Sequence, residues 1–192
     1  TSAYNMQADI ESYSTISDLV PSATKKSILY VDASLNTVSN FVYSYELNGY
    51  VGQNLDILAR ELFDGQEFVS QSFRNNPFPV MFVVRNDGII LALTYLREEN
   101  IYAWSKLTTQ GKYKDICCLN TKKNDTIYTI VERKNGTFIE VFADQITSDQ
   151  DVEDSCYLHS SKIITDNASD TITGLDWLAG MTVDILADKN VY

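Results

Sequence analysis

Histidine is nearly absent from this chain. His159, in "CYLHSSK", is the only one in 192 residues. A Ser-His-Asp or Cys-His arrangement would have to use it. Its neighbours Cys156 and Ser160 do not make it a catalytic group, because adjacent residues on a strand point to opposite faces. It reads as a polar strand or loop residue. The patterns H-E-x-x-H, C-x-x-C, G-x-S-x-G and the phosphate-binding glycine loop are missing too, so metal, redox, acyl-transfer and nucleotide chemistry have no motif to carry them. No enzyme activity, cofactor or metal site is expected.

Cysteine is scarce and unpatterned. Cys117 and Cys118 are adjacent, a spacing that strains a disulfide, and the third cysteine, Cys156, stands alone. Three free, buried thiols in a reducing compartment are expected, with the Cys117-Cys118 pair serving as small core residues. No run of about 18 apolar residues occurs, so no membrane-spanning helix is expected. Basic residues are outnumbered, 15 against 26 acidic ones, for a formal charge of -11. Such a chain repels phosphate backbones, which argues against reading nucleic-acid sequence. Signal-peptide features are lacking as well. The N-x-S/T matches at Asn124, Asn135 and Asn167 therefore read as polar turns rather than glycan acceptors. The start at Thr1-Ser2-Ala3 reads as a trimmed piece of a longer protein.

Helical signal is thin. The best stretch is "NLDILARELFDG", where Asn54 is placed to cap, Leu55, Leu58, Ala59 and Leu62 share one face, and Gly65 follows the end. One short helix is expected there. The shorter "TGLDWLAGM" reads as a turn with a hydrophobic plug.

What the chain does contain is β-strand pattern, in an ordinary globular composition of 44% hydrophobic residues. Apolar runs flank turns in residues 27–46, 80–98 and 126–144. The second turn is Asn86-Asp87-Gly88 and the third Asn135-Gly136, both strong hairpin signals. The last apolar residues before the turns, Val31, Val84 and Val131, lie 53 and 47 residues apart, near the period of roughly 40–50 residues for propeller blades. The middle unit extends to four strands: "EFVSQSFR", "PVMFVVR", "IILALTYLR" and "IYAWSKLTT". "KYKDICCLN" opens the third. In "IILALTYL" neither the Ile89, Leu91, Leu93, Tyr95 face nor the Ile90, Ala92, Thr94, Leu96 face reads as polar, so both are expected to be largely covered. "TFIEVF", broken by Glu140, suits an outer strand.

The fold class expected is all-β: antiparallel four-stranded meanders resembling β-propeller blades, one short helix and a small C-terminal β module. The blade region is placed at 1–145. An acidic connector carrying Asp144, Asp149, Asp151, Glu153 and Asp154 then opens the remainder, 146–192. That run has no glycine, so a solvated loop is preferred over a calcium site. "MTVDILAD" reads as a strand lacking its return partner. Three blades cannot close a ring of about four to eight, so the missing blades lie in further sequence or the piece forms an open stack.

Two features invite a chemical reading. Arg97-Glu98-Glu99 would supply paired carboxylates for acid/base work, but beside Asn100 and between strands it reads as a charged turn. Tyr102 and Trp104 share a strand face, where they would either stack on a sugar or pack between blades.

The stretch "VVRNDGIILALTYLREENIYAWSKLTTQGKYKDICCL" resembles a segment of tail proteins of short-tailed phages and prophages. Its matching residues include Arg85, Asp87, Gly88, Leu91, Leu93, Thr94, Tyr95, Arg97, Glu98, Trp104 and Gly111. "FVYSYELNGYVGQNLDILARELFDG" upstream and "TITGLDWLAGMTVDILAD" downstream are similar to further segments of that family. Trp177 and Lys189 stand where the family usually has His and Gly. The resemblance spans roughly 27–189. It implies a tail tube, hub or nozzle protein with propeller-like blades, assembled as a homo-oligomeric ring, often six-fold. The implied partners are other tail proteins (adaptor and fibres) and DNA passing through without sequence recognition. The implied location is the virion tail, assembled in the host bacterial cytoplasm. No catalytic residue is carried over. The negative charge would let DNA slide along a conduit wall. The competing expectations are a carbohydrate- or receptor-binding module using Tyr102 and Trp104 and, less favoured, a propeller-type hydrolase or lyase.

Overall fold

A computed structural model describes residues 14–121, 124–143, 160–164, 171–187 and 190–191. The fold is all-β. Sheet I comprises β1 (Ser22–Ala23), β2 (Ser27–Val31), β3 (Val38–Ser44) and β4 (Gly49–Asn54). Sheet II comprises β5 (Phe68–Arg74), β6 (Val80–Arg85), β7 (Ile90–Leu96) and β8 (Ile101–Leu107). Sheet III has three strands, β9 (Lys112–Leu119), β10 (Thr126–Arg133) and β11 (Gly136–Val141). Within each sheet the strands pair antiparallel in sequence order, and β11 is an outer strand as expected.

Strand alternation decides how the sheets stack. In sheet II, Met81, Val83, Leu91 and Leu93 face sheet I, where they meet Leu29, Val31 and Val38. The intervening Val80, Phe82, Val84, Ile90 and Ala92 face sheet III, against Ile116, Ile127 and Val131. Sheet II is thus covered on both faces, which is why its strands read as continuous apolar runs. Burying one such side chain contributes about 1.5–3 kcal/mol, so the two cores dominate the stability of the fold.

Several expectations need correction. Residues 57–62 form a 3-10 helix, kinked at Ala59, rather than an α-helix with a Leu55–Leu58 face. Three residues per turn line up Ala59 and Leu62 on the core and leave Leu58 96% exposed. Asn54 ends β4 and accepts a hydrogen bond from Ser39 Oγ at 2.9 Å, while Asp56 stands at the helix N-cap. The alignment of Val31, Val84 and Val131 mixes faces. Val84 points to sheet III, whereas Val131 points back to sheet II, and a one-residue slip in a strand flips the face. The residues in matching phase are Arg85 and Arg133, the last residues of β6 and β10, one position beyond Val84 and two beyond Val131.

Cys117 is exposed, so the expected core packing holds only for Cys118, which is half-buried against the core between sheets II and III. Near the C-terminus, β12 (Leu186–Ala187) pairs with β13 (Asn190–Val191), so a return strand is present. Of the longer strand expected over 181–188, residues 181–185 are not strand, and Val183 and Ile185 are 44% and 48% exposed. "TGLDWLAGM" contains a 3-10 turn, Asp176–Leu178, whose Trp177 packs at 6.2 Å from Phe138.

Candidate functional site

The two aromatic candidates are packing residues. Trp104 on β8 donates Nε1–H to the carbonyl of Leu55 at 2.8 Å and meets Phe63 edge-on with ring centroids 4.8 Å apart. Its polar handle is therefore tied to the chain entering the 3-10 helix, and its ring closes the core between sheets I and II. Tyr102 lies 5.4 Å from Tyr95, and burial pushes its phenol above the ordinary value. Tyr95 is itself buried, its hydroxyl 3.0 Å from Ser27 Oγ and accepting from Asn40 Nδ2 at 3.3 Å. Both rings are half-buried, packed on one side against the core between sheets I and II.

The turn candidates are structural, and the arginines before them explain why. Gly88 takes φ +91, and an added Cβ would fall 2.5 Å from Lys112 Cβ, so only glycine fits. Asn86 donates its backbone N–H to Glu67 O at 2.8 Å. Arg85 grips the Asp87 carboxylate and donates Nη1–H to Leu62 O at 2.7 Å, 23 residues upstream in the connector from sheet I. Burial alone would raise the Asp87 carboxyl, but Arg85 and the Ile89 N–H outweigh it and hold the group below its ordinary value. Arg133 repeats the device. Its Nη1–H donates to Gln110 O at 2.9 Å, again 23 residues upstream, in the connector from sheet II. Its ion pair with Glu140 raises the guanidinium above its ordinary value. Asn135, next to Gly136, donates its side-chain amide to Trp177 O at 2.8 Å.

A second repeated contact joins each turn to the following sheet. Phe68 N donates to Leu35 O at 2.7 Å, and Tyr113 N to Gly88 O at 3.0 Å. Each sheet therefore begins by hydrogen bonding to the β-turn of the sheet before it. The first strands also approach one another. Cys118 N donates to Ser72 Oγ at 2.8 Å, Ser70 Oγ bonds Asp115, and the Gln71 amide reaches Val20 O ahead of β1. This convergence leaves an open cleft of about 270 Å3 lined by Ser22, Gln71, Ser72, Phe73, Asn75 and Asn120, among others. Its polar groups are hydroxyls and amides, which hydrogen bond but neither titrate near neutrality nor attack a substrate.

Two further surfaces were not foreseen in the sequence. On the face of sheet I turned away from sheet II, Phe41 stacks on Tyr50 at 5.0 Å, and Tyr43 meets both Tyr45 and Tyr50 edge-on. Tyr43, Tyr45 and Tyr50 are 37%, 91% and 46% exposed. The alternation of Phe41 and Tyr43, with Tyr50 across the hairpin, was the available signal. On the far face of sheet III, Leu119, Ile130, Ile139 and Val141 form an exposed aliphatic strip beside Cys117.

Among the described residues, no cluster of three or more His, Cys, Asp or Glu is placed to hold a metal, and no helix is long and apolar enough to cross a membrane. Arg97–Glu99 is a 3-10 turn closed by Asn100 in the left-handed region; Glu98 pairs with Lys26 at 2.9 Å. Burial, with Asp125 nearby, pushes the Cys118 thiol up to about 11, so it stays protonated and unreactive at neutral pH. His159, Cys156, Asn167, Lys189 and the acidic run from Asp144 to Asp154 lie outside the described residues.

No family model and no curated protein matches the chain.

Proposed function

We propose that this chain is a structural part of a phage or prophage tail, of the tubular, hub or nozzle kind, contributing blade-like sheets to a conduit and to its attachment of neighbouring tail proteins. The reading carries no catalytic role and no cofactor. The observation that carries it is the repeated joint: Arg85 and Arg133 each clamp the connector 23 residues upstream, and each following sheet starts on the preceding turn. Polar groups that an enzyme would aim at a substrate are used here to fix sheet against sheet. The sequence resemblance supplies the phage assignment, and the excess of acidic residues suits a wall past which DNA slides. The test is mass spectrometry of purified particles from a host carrying the gene, with immunogold labelling. The protein is expected in particles, at the tail and at fixed stoichiometry. Its absence from particles sinks the assignment.

A second reading, a glycan- or receptor-binding module, is favoured by one observation: the exposed Tyr43, Tyr45 and Tyr50 group, not Tyr102 and Trp104. It predicts binding on a glycan array that Tyr45→Ala abolishes.

A further inference from the structure

The cleft where the first strands converge differs from the joints between sheets. At the joints, polar side chains are spent on the neighbouring sheet. In the cleft several are not. Sheet I contributes Ser22, sheet II contributes Gln71, Ser72, Phe73 and Asn75, and Asn120 follows the first strand of sheet III. The side chains of Ser22, Asn75 and Asn120 hydrogen bond to no other described residue.

Two buried groups beside the cleft also lack a partner among the described residues, and both are acceptors. Gln71 donates its amide to Val20 O, which leaves its Oε1 buried and unmet. Behind Asn75, Asp125 is 5% exposed. Its Oδ2 accepts the backbone N–H groups of Asn75 at 2.8 Å and Asn76 at 3.0 Å, and its Oδ1 is unmet. Buried acceptors without donors are costly, so this wall of the cleft is short of donors. The lining carries no charged side chain. Phosphate and carboxylate ligands bring only acceptors and find no cation there. Phe73 is half-buried on the core between sheets I and II and lends its remaining surface to the cleft. The ligand these groups suit has hydroxyl donors, an apolar face and no charge. A sugar ring has all three, since its hydroxyls both donate and accept and its C–H face packs on an aromatic ring.

We propose that this cleft is a binding site for one neutral sugar unit. Gln71, Asn75 and Asn120 hold its hydroxyls, and Phe73 packs against its ring. The volume of about 270 Å3 lies just under the range of about 300–1,000 Å3 usual for small-molecule sites, which suits a single unit rather than a long chain. The site binds without reacting, because its hydroxyls and amides neither titrate nor attack. It is separate from the tyrosine group on the outward face of sheet I, and it goes beyond the structural reading by giving the stack a ligand.

The experiment is saturation-transfer NMR on the whole chain, titrated with D-glucose, D-galactose, D-mannose and N-acetyl-D-glucosamine, each also as its methyl glycoside. Transfer to at least one of these sugars is expected. Asn120→Ala, at an exposed position, and Gln71→Leu, which removes the unmet acceptor, are each expected to weaken binding about tenfold. Tyr45→Ala is expected to leave it unchanged. Near-ultraviolet circular dichroism confirms that each variant keeps its tertiary packing, and Asn120→Ala alone decides if Gln71→Leu loses it. Transfer to glycosides and free sugars alike assigns the end unit of a polysaccharide, whereas transfer confined to free sugars assigns a free sugar. No transfer to any of these sugars overturns the proposal. So does transfer that Asn120→Ala and Gln71→Leu leave intact, or that Tyr45→Ala abolishes. A chain found in phage tails that binds no sugar sinks only this proposal, whereas sugar binding by a protein absent from particles sinks only the tail assignment.

Discussion

Sheets II and III are built from the same joint and neighbouring sequence, yet they differ in one physical respect. Sheet II has a core on each face; sheet III has one core and one exposed face. The difference is written in the alternation. In β7, Ile90, Leu91, Ala92 and Leu93 are all buried, whereas in β10 the buried Ile127, Thr129 and Val131 alternate with half-buried or exposed Tyr128, Ile130 and Glu132. Two-sided burial removes the polar face that would otherwise mark the solvent side. In β10 burial alternates strictly, and Ile130, 36% exposed, stands on the outward side where a solvated face would carry a polar residue.

The largest expected effect separates the two sheets directly. Leu93→Ala, at a fully buried position of sheet II, is expected to cost about 2–5 kcal/mol of unfolding free energy. Ile139→Ala, on the outward face of sheet III, is expected to cost less than about 0.5 kcal/mol in dilute solution. Urea titration with fluorescence detection measures both. Equal costs would break the comparison by showing that the outer face is covered in the single chain.

Next comes the arginine clamp. Arg133→Ala removes a nearly buried guanidinium and strands Glu140 and the Gln110 carbonyl. A loss of about 2–3 kcal/mol is expected, because a buried partner is left unmet. Arg85→Ala does the same to Leu62 O and Asp87 between sheets I and II. If the joints are equivalent, the two losses agree to within about 1 kcal/mol; a much smaller loss for either would show that its connector is held by packing alone.

How far these parts were legible in the sequence follows from their range. The four-strand meander, the two-faced character of β7 and the outer position of β11 depend on local alternation and turn residues, so they could be read directly. The clamps could not. Arg85 and Arg133 sit beside turns and look like solvated charges until the fold brings Leu62 and Gln110 to them. Leu58 belongs to the 3.6-residue apolar stripe in the sequence, but the segment winds in 3-10 turns broken at Ala59, which leaves Leu58 in solvent. Cys117 misled because an apolar neighbourhood in sequence hides which strand face looks outward.

Smaller is the acid response of the Arg85–Asp87 turn. Asp87 has a folded-state pKa below its ordinary value. The folded state therefore binds fewer protons than the unfolded state as pH falls through the carboxylate range. The contribution is fully present above the ordinary value and is lost as pH falls through the depressed one. Asp87→Asn is expected to flatten the acid limb of a stability-versus-pH curve while leaving its neutral plateau lower. An unchanged acid limb would place the acid sensitivity elsewhere among the carboxylates.

The smallest effect probes the outer face without altering a core residue. Cys117 is exposed on the outward side of sheet III, opposite Tyr128, while Cys118 points inward with its thiol pushed up to about 11. At neutral pH a maleimide is expected to label Cys117 well before Cys118, read by fragment-ion localisation in the peptide that holds both. Access favours that order, and burial keeps the Cys118 thiol protonated. Equal labelling rates would break the comparison by showing that Cys118 is not held against the core between sheets II and III.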